Sequence, residues 1–240
     1  MSEDIGSLAD TPLSIIKGIP LSEELGLGAL TLPGFLREVT TRYADREALV
    51  LHTPDGVERW TYAMLWERAV EIARALLACG VGKDSRVGIL MINRPEWIAG
   101  FFGIGPAGGV AVAISTFSTM PELEHLLQVT GVSIVLIERS VAKKDFVAML
   151  RELEPEIFSA QPGHLVSTKF PFLRRAVVVD DAEATGGIET WSGFLAHGKK
   201  FHGRWWMQPQ LLPIRRMPER YSCRRGRPVG QRVSSAPIGG

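Results

Sequence analysis

The sequence predicts an α/β fold built on a mostly parallel sheet with flanking helices. Three observations carry that reading. The runs Arg86–Ile92 and Val110–Ile114 are apolar without alternation, which suits strands covered on both faces, and Val132–Ile137 is another run of strand length. Stretches of helical spacing lie between them, each with its own start or stop signal. Strand–helix alternation of this kind closes most simply with right-handed crossovers between parallel strands.

The elements follow in chain order. Leu32–Tyr43 has helical spacing (Leu32, Phe35, Leu36, Val39), with Pro33 in a tolerant first turn. Ala48–Leu51 reads as a strand, Thr53-Pro54-Asp55-Gly56 as a turn and Glu58–Tyr62 as the returning strand, because Pro presets φ and Gly accepts a positive one. Thr61 is a cap for the next helix. There Leu65, Ala69, Ile72, Ala73, Leu76 and Leu77 form one apolar stripe, and Gly80 occupies the position of a left-handed C-terminal cap. Arg86–Ile92 is a buried strand, and Asn93 to Trp97 turns into a short helix with Pro95 in its first turn. Val110–Ile114 is the next buried strand. Thr119-Met120-Pro121-Glu122 is a capping box that opens a helix ending near Thr130-Gly131. Val132–Ile137 is a further strand, Lys144–Leu153 a helix, and Ala176–Val179 a strand that completes the pattern.

Composition bounds the function. The 240 residues carry a formal net charge of +1, yet this neutrality hides a mildly acidic body and a basic tail. Cys79 and Cys223 lie too far apart for a metal motif or a disulfide framework, so a reducing cytoplasm is expected. The acidic start Met1-Ser2-Glu3-Asp4 lacks the apolar core of a signal peptide. The longest apolar run, Trp97–Ile114, is broken by Pro106 and five glycines, so no transmembrane segment is expected.

The local motifs favour structural readings. Gly103-Ile104-Gly105-Pro106-Ala107-Gly108 spells G-x-G-x-x-G, but a helix precedes it and a strand follows, the reverse of the dinucleotide arrangement. Its expected role is close helix–strand packing. The histidines (His52, His125, His164, His197, His202) share no ligand spacing and are expected on surfaces or loops. Ser115-Thr116 and Ser118-Thr119 fit strand-end and capping duties, and Glu96 and Glu122 suit helix starts without catalysis. No catalytic, cofactor-binding or metal-binding residue is assigned to this chain.

From about Phe201 the pattern stops. Arg204, Arg215, Arg216, Arg220, Arg224, Arg225, Arg227 and Arg232 face one acid, Glu219. The chain therefore divides into a lead-in over 1–28, a patterned body over 29–200 and a tail over 201–240, the last expected to be disordered.

Between Trp60 and Glu138 the residues Trp60-Thr61-Tyr62, Ala75-Leu76, Gly80-Val81, Asp84-Ser85-Arg86-Val87, Asn93, Glu96-Trp97, Gly109-Val110-Ala111-Val112 and Pro121-Glu122-Leu123 come in a specific order and spacing. In both, the stretch resembles the amino-terminal part of the AMP-forming acyl-CoA synthetases, in the acyl-adenylate-forming superfamily. A weaker resemblance runs from about Leu32 to Gly198. Ala113-Ile114-Ser115 stands where the family has Pro-Leu-Asn. The resemblance implies that the body is the incomplete front part of the family's large amino-terminal domain. It also implies a parent enzyme that activates a carboxylic acid with ATP and magnesium and passes the acyl group to coenzyme A. The family's phosphate loop, nucleotide contacts, magnesium acid and mobile-domain lysine all come later, so no residue here inherits a catalytic role.

The tail connects to that missing loop. Possible codons for Tyr221 to Val233, read one nucleotide earlier, spell Phe-Leu-Ser-Ser-Gly-Thr-Thr-Gly-x-Pro-Lys-Gly in register, the family's phosphate loop. The expectation is a frameshift between about Gly198 and Arg204, leaving a truncated, inactive ligase fragment with uncovered apolar surface and open strand edges. The alternative is a non-catalytic module, either a scaffold pairing with an intact synthetase or a binder whose Arg-rich tail contacts nucleic acid or a partner protein. Nucleic-acid binding explains only the tail's charge, whereas the hidden loop explains its order, so no nucleic-acid partner is expected.

Overall fold

Both faces of a five-stranded parallel sheet are covered by helices from the same stretch of chain. The computed structural model describes residues 31–54, 56–180 and 186–199. The lead-in 1–28, the tail 201–240, Asp55, His202 and Cys223 lie outside the described residues. The elements are α1 (Leu32–Tyr43), β1 (Glu47–Thr53), β2 (Gly56–Thr61), α2 (Tyr62–Ala78), β3 (Arg86–Leu90), α3 (Pro95–Ile104), β4 (Val110–Ala113) and α4 (Met120–Thr130). They continue with β5 (Ile134–Ile137), β6 (Ser140–Val141), β7 (Lys144–Asp145), α5 (Phe146–Leu153), a 3-10 turn (Pro155–Phe158), β8 (Arg175–Val178), β9 (Ile188–Thr190) and α6 (Trp191–Lys199).

The order across the main sheet is β4-β3-β5-β8-β9, every pair parallel. Strand periodicity of two sorts the core. Val87, Ile89, Ile134, Leu136 and Val177 face α2, α3 and α6, while Leu90, Val135, Ile137, Ala176 and Val178 face α4 and α5. Among the described residues, helices cover both faces of β3, β5 and β8, while the outer edge of β4 stays open. The last described helix, α6, closes one face: Phe194 is fully buried, and a Cβ at Gly198 would stand 2.8 Å from the Ala75 backbone nitrogen of α2.

Local signals explain most boundaries. Thr31 and Thr61 cap α1 and α2 through bonds accepted from Gly34 and Met64 N–H groups at 3.1 and 3.3 Å. Gly80 follows α2 at φ +85°, and Gly131 ends α4 at φ +59°, both in the left-handed region open to glycine. At α4 the capping box forms. The Glu122 carboxylate accepts from the Thr119 N–H at 2.7 Å and its hydroxyl at 2.9 Å, and these bonds hold its pKa below the usual carboxylate value.

Four expectations need correction. Val110–Ile114 is not a fully buried strand: β4 pairs only with β3 at the edge of the described sheet, with Val110 and Ala113 exposed and Ala111 and Val112 only partly buried against the two cores. An apolar run reports a strand but not how many neighbours it has. Glycine 103 does not serve helix–strand packing. A Cβ there would meet the Ala69 carbonyl oxygen at 2.8 Å and Ile72 Cγ2 at 2.9 Å, so it sets the approach of α3 to α2. The helix expected from Lys144 starts at Phe146, because Lys144-Asp145 pairs with Ser140-Val141 in a small hairpin and Asp145 caps α5. Tyr62 opens α2 rather than ending the hairpin.

Candidate functional site

In open α/β sheets the place for a ligand is the crevice beyond the carboxyl ends of the strands, where the strand order reverses. Here the chain leaves β3 through α3 to reach β4 on one side, then returns through α4 on the opposite face to β5 on the other side. The switch point therefore lies between β3 and β5, and the residues at its mouth are Met91–Arg94, Glu138 and Arg139, with Asp180 beyond β8.

That mouth is held by one guanidinium. Arg94 Nε donates to Glu96 Oε2 at 2.7 Å and Nη1 to Asp180 Oδ1 at 2.5 Å, with Glu138 Oε1 at 3.6 Å from Nη1. Burial works against the charge of Arg94, but the bonds to Glu96 and Asp180 outweigh it and raise its pKa above the ordinary value. The carboxylates are tied in turn. Glu138 accepts from the Ile92 N–H at 2.9 Å and Asp180 from the Arg139 N–H at 2.8 Å. One side chain thus staples the ends of β3, β5 and β8.

This arrangement does not fit a phosphate. The guanidinium's donors are directed at carboxylates, and the acids Glu96, Glu138 and Asp180 outnumber Arg94 and Arg139 at the mouth. Neither a nucleotide step nor a metal step is derived from these residues. Among the described residues no cluster of His, Cys, Asp and Glu could hold a metal ion, and no helix is long and apolar enough to cross a membrane.

Beside the mouth, Lys144 Nζ donates to three successive carbonyls, those of Thr116 (3.2 Å), Phe117 (2.7 Å) and Ser118 (2.8 Å). Ser115 Oγ accepts from the Phe117 N–H at 3.1 Å, its strand-end duty. The loop is pinned while the Phe117 ring is 89% exposed. On the face with α6, the nearly buried Glu189 carboxylate joins the equally buried Arg175 Nη1 (2.5 Å) and the more exposed His197 Nε2 (2.6 Å). His52, His125 and His164 are exposed. Burial pushes the nearby Cys79 thiol up to about 11, leaving little thiolate at neutral pH.

The Arg94 staple and the Lys144 clamp were not legible from local pattern. Arg94 and Asp180 are 86 residues apart. The available hint was an acid or an arginine just past each of three apolar runs: Arg94, Glu138 and Asp180.

A match to a family model decides the kinship: residues 36–185 fit the AMP-binding enzyme family. The chain belongs to that family. The YngI protein of Bacillus subtilis (strain 168) is 30% identical over 156 residues, 65% of this chain and 28% of that protein. The human mitochondrial medium-chain acyl-CoA ligase ACSF2 is 27% identical over 179 residues, 75% of this chain and 29% of the ligase. The chain thus spans under a third of the curated relatives it matches. Among solved structures, the anthranilate CoA ligase AuaEII has a TM-score of 0.56 at 22% identity, over 69% of this chain and 28% of that one. Coronafacic acid ligase from Pectobacterium brasiliense gives 0.56 at 18%, over 70% of this chain and 29% of that one. These two likenesses are of fold: the described α/β unit is the front of an AMP-binding enzyme domain.

Proposed function

We propose that this chain is the amino-terminal piece of an AMP-forming acyl-CoA ligase and does not catalyse the reaction alone. The complete enzyme would join a carboxylic acid, a fatty acid by kinship with ACSF2, to coenzyme A through an acyl-adenylate, using ATP and magnesium in the cytoplasm. Residues 29–200 are its partial amino-terminal domain and 1–28 a lead-in. Residues 201–240 are an out-of-frame reading of the phosphate-loop codons.

The observation that carries this reading is the order of residues from Tyr221 to Val233, whose codons can spell the family's phosphate loop one nucleotide away. Kinship over 36–185 supports it independently. So does the negative, carboxylate-filled mouth at the switch point, a poor place for a triphosphate. The decisive experiment is to sequence the coding DNA from the Trp191 codon past Gly240. One inserted or deleted base that restores the loop and a long open frame is expected. A confirmed frame whose nucleotides cannot spell the loop overturns the reading. So does acid-dependent ATP–pyrophosphate exchange by the 240-residue chain above background.

A further inference from the structure

We propose that the outer edge of β4 is a self-association surface, along which a second copy of this chain pairs antiparallel and extends the sheet. This goes beyond the ligase reading and does not depend on it.

The backbone supplies the first argument. Val110 and Ile114 donate their N–H groups toward β3, to the Ser85 and Ile89 carbonyls at 2.7 and 2.9 Å. Successive residues of a strand address opposite neighbours. Ala111 and Ala113 therefore turn both N–H and C=O outward, where no described strand meets them. Two such residues flanking Val112 make a palindrome. With a two-fold axis at Val112, Ala111 of each copy faces Ala113 of the other, and four hydrogen bonds close. Each copy offers what its partner lacks, the condition for a symmetric contact.

The side chains supply the second. Natural sheets guard their edges with charge, proline or a covering element. The β1–β2 hairpin carries Glu47, Glu58 and Arg59, and β9 carries Glu189 and leads directly into α6. The segment from Trp97 to Pro121 contains no Asp, Glu, Lys, Arg or His. Val110 is 48% exposed at one end of the edge, and the loop bearing Phe117 follows the other end. In the antiparallel register each Phe117 loop comes level with the Gly108 turn of the other copy, so the exposed ring gains a cover. With no charged side chain on the strand itself, a copy of the same edge is the partner it fits. The strand is short, so the association is weak and concentration-dependent.

The test compares the full chain with Ala113→Lys and Ala111→Pro by sedimentation velocity over a wide concentration range, with circular dichroism to verify the fold. Ala113 is exposed and accepts a lysine, and proline at 111 removes an outward N–H while leaving the bonds to β3 in place. The expected result is a concentration-dependent dimer for the parent chain. It should be at least about tenfold weaker in A113K and absent in A111P, with unchanged dichroism. Should A111P misfold, A113K alone decides. A parent chain that is monomeric throughout overturns the proposal. Folded variants that associate as the parent does overturn it equally, since the contact then lies elsewhere.

Discussion

Replacing Arg94 with methionine keeps much of the side chain's length but removes the one cation shared by Glu96, Glu138 and Asp180. Breaking a buried ion pair by removing one partner costs ~3–5 kcal/mol, because the remaining charge is left uncompensated. This site is not fully dry: the Arg94 side chain is 19% exposed and those of the acids range from 12% to 34%, so water recovers part of the loss. We expect Arg94→Met to destabilise by ~2–3 kcal/mol once that screening is allowed for. For a unit of this size, the melting temperature should then fall by ~5–10 °C. The assay is urea and thermal denaturation followed by circular dichroism on the full chain. A second substitution sharpens it. Glu138→Gln should be costly in the parent, where the carboxylate is near Arg94 and binds the Ile92 N–H, but should partly rescue Arg94→Met by relieving acid–acid repulsion. A loss under ~0.5 kcal/mol for Arg94→Met would refute the staple, since surface substitutions already span that range. Additive losses in the double variant would refute it too.

Other expectations follow from single contacts. Gly103→Ala should destabilise by ~1–2 kcal/mol despite alanine's better helix propensity, because the added Cβ meets the Ala69 carbonyl oxygen, which cannot step aside. Thermal denaturation measures it, and a neutral result would mean that α3 shifts freely. Lys144→Met should speed amide exchange at Phe117 and Ser118 by about tenfold or more, with little change in α2, as the three carbonyls lose their common donor. Unchanged exchange there would mean that the clamp is incidental. In a Cys223→Ser background, Cys79 should resist thiol reagents at neutral pH and gain reactivity as pH approaches 11. Its folded pKa lies above the ordinary 9.0, so the native state holds the proton more tightly. The associated stability is complete below about 9 and falls as pH rises toward 11, which a series of melts above pH 8 would follow.

What could be read in the chain was what neighbours in sequence determine. Thr61, Gly80, Thr119 with Glu122, and Gly131 each fix a helix end through atoms a few residues away, and those boundaries match the structure. The parallel sheet was legible because strands covered on both faces need unbroken apolar runs. The edge position of β4 was not, since Val110–Ala113 has the same composition as a central strand. Arg94 and Lys144 looked like ordinary loop cations, because their partners come from β8, β5 and the loop after β4. The short β9 and the role of α6 as a cover were missed for the same reason: three apolar-edged residues and a nine-residue helix carry little pattern alone.

The seating of α6 on α2 also says something about how the chain is made. The two helices are separated by more than a hundred residues, yet Gly198 lies against the Ala75 backbone and Phe194 completes that face of the core. A ribosome adding ~5–20 residues per second needs roughly 5–20 s to deliver α6 after α2 has emerged. For that interval the stripe of α2 that will receive α6 has no native cover, and β3 and β5 can pair beneath it without completing the layer. Nascent chains caught at this stage should be the ones that holdase chaperones occupy, and the chaperones should let go once Lys199 itself has cleared the exit tunnel.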